Sequence, residues 1–246
     1  MIDIHAHILP GVDDGAFEME ESVEMARIAV ESGVEYLVAT PHCNLPEERL
    51  WANEARSAAG LFQQRLQQEG IPLKVAAGME IFGTPEVPEL LRRGELMGLA
   101  GSHYALIEFP FSDYGRNATA ILEAVADMGL CPVVAHPERY TYVQGAPELL
   151  NLWHDLGCLF QINRGSLLGR FGRRAETVGH AMVERGFASF VASDAHSAVM
   201  RTPWMEDVER LLRSEYSPAL AHRLLEENPR RVLMDQEIKT QEPDWF

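Results

Sequence analysis

Seven short apolar, β-prone runs recur along the chain at residues 1–5, 36–40, 75–81, 104–109, 132–136, 159–163 and 190–193. Stretches of helical period lie between them. Residues 117–128 are the clearest, with Ala118, Ile121, Leu122, Val125 and Met128 on one face and Gly129 placed as a C-cap. Residues 20–32, 47–69, 147–155 and 175–185 follow the same period, and Ser217-Pro218 opens another helix over 219–227. Strands apolar on both faces, alternating with helices, predict a parallel α/β fold. No glycine-rich GxGxxG turn follows the first strand, which favours a closed barrel over a doubly wound open sheet. No Pro-, Gly- or Ser-rich linker divides the chain. One domain is therefore expected over residues 1–235, with 236–246 as a loosely attached extension whose Trp245-Phe246 end docks on the body.

In α/β barrels, catalytic groups gather where strands give way to the following loops. Here those points carry metal-competent side chains repeatedly. His5 and His7 end the first run, and Asp14 lies in the loop after it. His42 follows the second run, Glu80 the third, Glu108 the fourth and His136 the fifth. Asp194 and His196 follow the seventh, while the sixth ends in Asn163, the exception. A lone histidine at a strand end is an ordinary surface or hydrogen-bonded residue. In an HxH pair, however, alternate strand positions point the same way and two imidazoles can meet one ion. Burying Glu108 behind Leu106-Ile107 would be costly without a partner, and a shared cation removes that cost. Asp13 neighbours Asp14; only one of the two is expected to face inward, and Asp13 is left unassigned.

The remaining histidines fit structural roles. His154, His180 and His222 fall within predicted helices, and His103 precedes its strand. The three cysteines, Cys43, Cys131 and Cys158, have neither CxxC spacing nor the number for a disulfide framework, which suggests a reducing cytosol. Cys43 adjoins His42, but the other donors are hard or borderline and favour Mn, Fe, Mg or Zn, so it is left outside the ligand set. Lys and Arg number 21 against 37 Asp and Glu, a net charge of −16, which disfavours nucleic-acid and anionic-membrane partners. A pocket for phosphate would need local cations. No signal-peptide pattern and no membrane-length apolar run is present, so a cytoplasmic protein is expected.

The set of HxH, second-strand histidine, mid-chain glutamate and late DxH resembles the PHP (polymerase and histidinol phosphatase) superfamily. Within it, "DIHAHILPGVDDGA", "ATPH", "LIEFPF", "PVVAHPERY", "QINRGSLLGRFG" and "ASDAH" look like segments of the CpsB/CapC-type bacterial tyrosine phosphatases, in the same order and over most of residues 1–233. The resemblance implies a distorted (β/α)7, TIM-like barrel with three divalent metal ions, usually assigned to manganese, at the C-terminal ends of the strands. By matching motif, His5, His7, Glu80 and Asp194 would hold one ion. Glu80, Glu108 and His136 would hold a second, and Asp14, His42 and His196 a third. Arg139 matches the family's phosphate-binding arginine, and Arg201 is a second candidate. The sequence departs from the family at Cys43 and at Phe82-Gly83, beside the site, which bears on substrate contacts rather than on metal binding.

The implied activity is hydrolysis of phosphotyrosine by metal-activated hydroxide, acting on the tyrosine-rich tail of a bacterial tyrosine autokinase in capsule or exopolysaccharide production. The Cys-x5-Arg signature of cysteine phosphatases is absent. Three alternatives stay open at this level: a histidinol phosphate phosphatase, a proofreading nuclease module, and a metal-stabilised scaffold without activity. The negative charge counts against the nuclease, and the filled ligand set against the scaffold.

Overall fold

The structure is a computed structural model and describes residues 1–44, 49–112, 117–239 and 242–246. Its strands are β1 (Ile2–Ala6), β2 (Tyr36–Ala39), β3 (His42–Cys43), β4 (Lys74–Ala77), β5 (Glu80–Phe82), β6 (Tyr104–Glu108), β7 (Cys131–Ala135), β8 (Leu159–Asn163) and β9 (Phe190–Ala192). All pair in parallel, in a three-stranded sheet ordered β1-β2-β4 and a six-stranded sheet ordered β3-β5-β6-β7-β8-β9.

The two sheets form one ring. The predicted run 36–40 is followed by a further strand and the run 75–81 is interrupted, and at both places the chain passes from one sheet to the other. Pro41, which has no N–H to give to a ladder, separates β2 from β3. Gly78 separates β4 from β5, where a Cβ would lie 2.8 Å from Val38 Cγ1. Glu80 consequently opens β5 and does not end the run, and His42 lies within β3, in register with Glu80. The remaining gap, between β9 and β1, is closed by hydrogen bonds from Asp194 N to His5 O (2.9 Å) and His7 N to Ala195 O (2.8 Å). Buried Asp3 clamps the seam, accepting from Ser193 N (3.1 Å), Ser193 Oγ and His5 N. With each interrupted pair taken as one stave, the ring has seven, as many as the apolar runs of the sequence.

One apolar core lies between strands and helices: Met25 and Phe62 from the helices meet Ile81, Ile107, Val134 and Phe160. A second joins Ile4 and Val38 of one sheet to Leu106, Val133 and Phe190 of the other. Helices at Met19–Glu31, Ala52–Gln68, Ala118–Ala126, Leu149–Asp155 and Arg173–Glu184 match the expected periods within a few residues. Of the helix expected from residue 47, positions 47 and 48 lie outside the described residues. Ser217 caps as expected, accepting from Leu220 N at 3.1 Å. The helix it opens runs only over Pro218–His222 before a π-helical turn, Arg223–Glu227, and a further helix, Asn228–Leu233.

The described part of the C-terminal extension is tied down at several points. Tyr104 Oη donates to Gln236 O at 2.7 Å, Arg185 donates to Trp245 O at 2.6 Å, and the Phe246 ring packs on Phe187. These attachments lie near the starts of β6 and β9, away from the strand ends that carry the polar residues. No helix among the described residues is long and apolar enough to cross a membrane.

Candidate metal centre

All nine residues expected as ligands converge at one end of the ring. Glu80 is its centre and is 1% exposed. Its Oε2 lies 3.0 Å from His42 Nδ1, 3.2 Å from His7 Nε2 and 3.3 Å from His5 Nε2, and its Oε1 lies 3.0 Å from His136 Nε2. Glu108 approaches His136 at 3.5 Å and His42 at 3.8 Å. Asp14 Oδ1 is 3.5 Å from both His42 Nε2 and His196 Nε2. Asp194 Oδ1 is 3.5 Å from the Nε2 atoms of both His5 and His7. His136 and Asp194 have φ of 33° and 50°. Aspartate and histidine tolerate this left-handed backbone better than most residues with a Cβ, and here it accompanies the turn of both side chains into the centre.

Hydrogen bonds behind the ligands fix which ring nitrogens carry protons. The Asp194 carboxylate can only accept, so Asn163 presents Nδ2 to its Oδ2 (2.5 Å). Asn163 Oδ1 then receives Gln161 Nε2 (2.8 Å), leaving Gln161 Oε1 to accept from His5 Nδ1 (2.8 Å). His7 Nδ1 donates to Asp13 Oδ2 at 2.7 Å. Both imidazoles therefore turn Nε2 lone pairs toward the centre, 3.3 Å apart. Two lone pairs at that separation repel unless a cation lies between them. Glu80 Oε2 is buried beside them with no hydrogen-bond partner among the described residues. A buried, partnerless carboxylate oxygen facing imidazole lone pairs is the environment of a cation site, and the N/O donor set suits divalent first-row metals.

The electrostatics agree. Burial works against charge on Glu80 and Asp194, yet His5 and its neighbours hold both carboxylates well below the usual range. Burial also opposes protonation of His7, but the hydrogen bond to Asp13 and the nearby Asp194 and Glu80 carboxylates raise its pKa. Asp13, although buried, is drawn down to about 2 by His7 and by the His42 and Gly15 N–H groups. Burial, followed by the charge of Glu80, lifts Glu108 to about 8. Burial lowers His136 to about 4 and His196 to about 3. Negative potential at the centre thus favours positive charge at His5, His7 and His42, as it would favour cations, while burial holds His136 and His196 neutral.

Four sets of donors lie close enough together to share an ion: His7, Asp14, His42 and His196; His5, His7 and Glu80; His5, His136 and Asp194; and His42, Glu80 and Glu108. A cavity of about 400 Å³ opens onto them. Arg139 and Arg201 line it, and both contact Asp194 Oδ2, Arg139 at 3.1 Å. The Arg139 guanidinium lies between the Phe111 and Phe171 rings, 4.5 and 4.3 Å from their centroids.

Asp13, Gln161 and Asn163 escaped sequence reasoning as members of the site. Asp13 is the inward aspartate and faces His7, while the Asp14 side chain is 68% exposed at the rim of the site. Gln161 and Asn163 alternate on β8 as His5 and His7 do at the end of β1. That spacing is the signal that could have found them. Glu138 adds a fourth support, accepting from Ser166 Oγ (2.6 Å) and Asn163 N (3.0 Å). The demoted histidines stay outside: His103 pairs with Asp235, His180 with Tyr216, His154 packs on Trp245, and His222 approaches Glu226. The Cys43 thiol donates to Leu50 O, and burial raises its pKa.

Gln161→Leu should keep the fold and lower metal affinity about 10–100-fold, because His5 loses the acceptor that sets its tautomer. Isothermal titration of metal-free protein with Mn²⁺ would measure it; unchanged affinity would remove Gln161 from the centre.

The family described as "Capsular polysaccharide synthesis, CpsB/CapC" matches residues 1–234. The chain belongs to the CpsB/CapC family. It is 39% identical over 246 residues to the tyrosine-protein phosphatase YwqE of Bacillus subtilis, covering 99% of this chain and 95% of that one. It is 32% identical over 250 residues to the tyrosine-protein phosphatase CpsB of Streptococcus pneumoniae, covering 97% and 100%. A solved structure from work on those two proteins, described as metal-dependent tyrosine phosphatases, superposes with a TM-score of 0.95 at 38% identity, covering 100% and 99% of the two chains. A lactonase from Listeria monocytogenes, at 13% identity and a TM-score of 0.59, shares the fold alone. These relationships confirm the CpsB/CapC family and the barrel class expected from the sequence.

Proposed function

We propose that this chain is a metal-dependent protein-tyrosine phosphatase of capsule or exopolysaccharide production. The observation that carries this reading is the juxtaposition, in one cavity, of a cation cradle and two arginines. Three divalent ions, manganese by preference with Fe, Mg and Zn as substitutes, would be held by the nine converging residues. His5, His7, Glu80 and Asp194 would hold the first, Glu80, Glu108 and His136 the second, and Asp14, His42 and His196 the third. The proximity of His7 to that last set adds a candidate donor. Divalent cations bound there would polarise phosphoryl oxygens and make a water acidic enough to attack at neutral pH.

The protein's own groups would do the rest. Asp194 links the two halves of the site, with Oδ1 toward the imidazoles and Oδ2 toward Arg139 and Arg201. It thereby fixes the guanidinium groups relative to the cation cradle. Arg201 Nε is buried with no hydrogen-bond partner among the described residues, a donor suited to an anionic oxygen. Arg139, held flat between Phe111 and Phe171, would grip phosphate through its forked N–H groups. Phe82 and Phe111 line the cavity and supply apolar surface for a phenyl ring. Kinship to named tyrosine phosphatases supports this substrate over histidinol phosphate. A bacterial tyrosine kinase tail, met in the cytoplasm by a catalytic unit spanning 1–235, is the natural partner under this reading.

Metal-stripped protein reconstituted separately with Mn²⁺, Fe²⁺, Mg²⁺ and Zn²⁺ should hydrolyse a phosphotyrosine peptide, and far more efficiently than histidinol phosphate. Preference for histidinol phosphate, or equal activity after stripping, would overturn the assignment.

A further inference from the structure

The catalytic cavity does not end at the metal centre. Beyond Asp14, His42 and Asn44, which border both spaces, a larger groove of about 820 Å³ runs along the loop after β1. Its other lining residues include Val12, Asp13, Phe17, Leu50 and Arg49, the only lysine or arginine among the described ones. The Asp13 and Asp14 carboxylates lie on the side of the metal centre, and Arg49 supplies the groove's positive charge. Phe17 is 84% exposed and lies at the edge of this groove. The loop that carries it is braced from both sides. Gly15 packs so tightly on His7 that a Cβ would meet His7 O at 2.1 Å, and Ala16 N donates to His7 O at 3.1 Å. Gly11 N donates to Ala16 O at 2.8 Å, and Phe17 N to Glu21 Oε2 at 2.9 Å. Phe17 is thus exposed on a loop anchored to a proposed metal ligand.

We infer that this groove is a subsite for the polypeptide flanking the phosphotyrosine, with Phe17 receiving an apolar side chain and Arg49 an acidic one. The inference rests on the phosphatase reading above. The inner cavity, at about 400 Å³, is of a size for one phosphotyrosyl side chain, whereas the groove has twice that volume and, past the edge formed by Asp13, Asp14 and His42, carries no proposed metal ligand. Its continuity with the cavity mouth suits a chain that continues past the reacting residue. In a protein with a net charge of −16, Arg49 is the group in this groove able to attract an acidic neighbour that would otherwise be repelled.

The test compares metal-loaded wild type with Phe17→Ser and Arg49→Glu on free phosphotyrosine and on phosphotyrosine peptides flanked by Leu and Glu or by Leu and Lys. Phe17→Ser should lower the ratio of peptide to free phosphotyrosine kcat/KM about 10-fold, as expected for one apolar contact. Arg49→Glu should reverse a wild-type preference for the Glu peptide over the Lys peptide. Ratios within twofold of wild type in both variants would overturn the groove while leaving the phosphatase reading intact. A wild type inactive on every phosphotyrosine substrate would overturn both.

Discussion

Glu80→Ala is expected to lower phosphotyrosine hydrolysis about 10³-fold or more and to abolish the rise in Tm that added metal produces. Several kcal/mol of charge stabilisation from bound cations corresponds to a loss of that size. Glu80 is the residue whose two oxygens meet four imidazoles, so its removal opens the centre on every side. In the wild type, metal at about 1,000 times its dissociation constant should add about 4 kcal/mol of stability. Differential scanning fluorimetry with and without Mn²⁺ reads that difference directly. Glu80→Gln keeps the shape but not the charge and should fail in the same way. A metal-dependent Tm shift as large as wild type in either variant would show that Glu80 does not hold the ions.

Arg139→Ala should separate the two halves of the site. Bound metal, measured by elemental analysis, should stay at the wild-type level, while kcat/KM falls about 10²–10³-fold, the usual loss when one preorganised charge donor is removed. Arg139→Lys should recover little, because a lysine ammonium can neither stack flat between Phe111 and Phe171 nor present a fork to phosphate. Because Arg139 also contacts Asp194, a fall in metal content alongside activity would reassign it to holding the centre. Full activity would exclude it from phosphate binding.

The staves and the convergence of the proposed ligands were legible in the sequence for the same reason. A strand buried on both faces has no cause to end in His, Glu or Asp unless the ends meet, and the seven runs with their polar termini carried that information. The interruptions were less visible. Pro41 and Gly78 lie inside or beside apolar runs, and only the paired geometry shows that each lets a stave change sheets. The bracing residues were hidden for another reason. Whether Gln161 faces His5 depends on β8 lying next but one to β1, with β9 between them, and no local period encodes that neighbourhood. Asn163, set apart as the strand end without a metal-competent group, reaches the centre through Asp194. The helix after Ser217 was read correctly at its cap, but its periodicity continues through a π-helical turn that splits it.

The left-handed backbone at Asp194 has an evolutionary corollary. Among residues with a side chain, asparagine is the one that shares aspartate's tolerance of that conformation, and the two differ by a single base in their codons. Asp194→Asn would leave the barrel seam and the arginine contacts sterically undisturbed while deleting a charge from the cation cradle. A single-base change could therefore remove a charge from the proposed cation site while keeping the backbone that the seam requires.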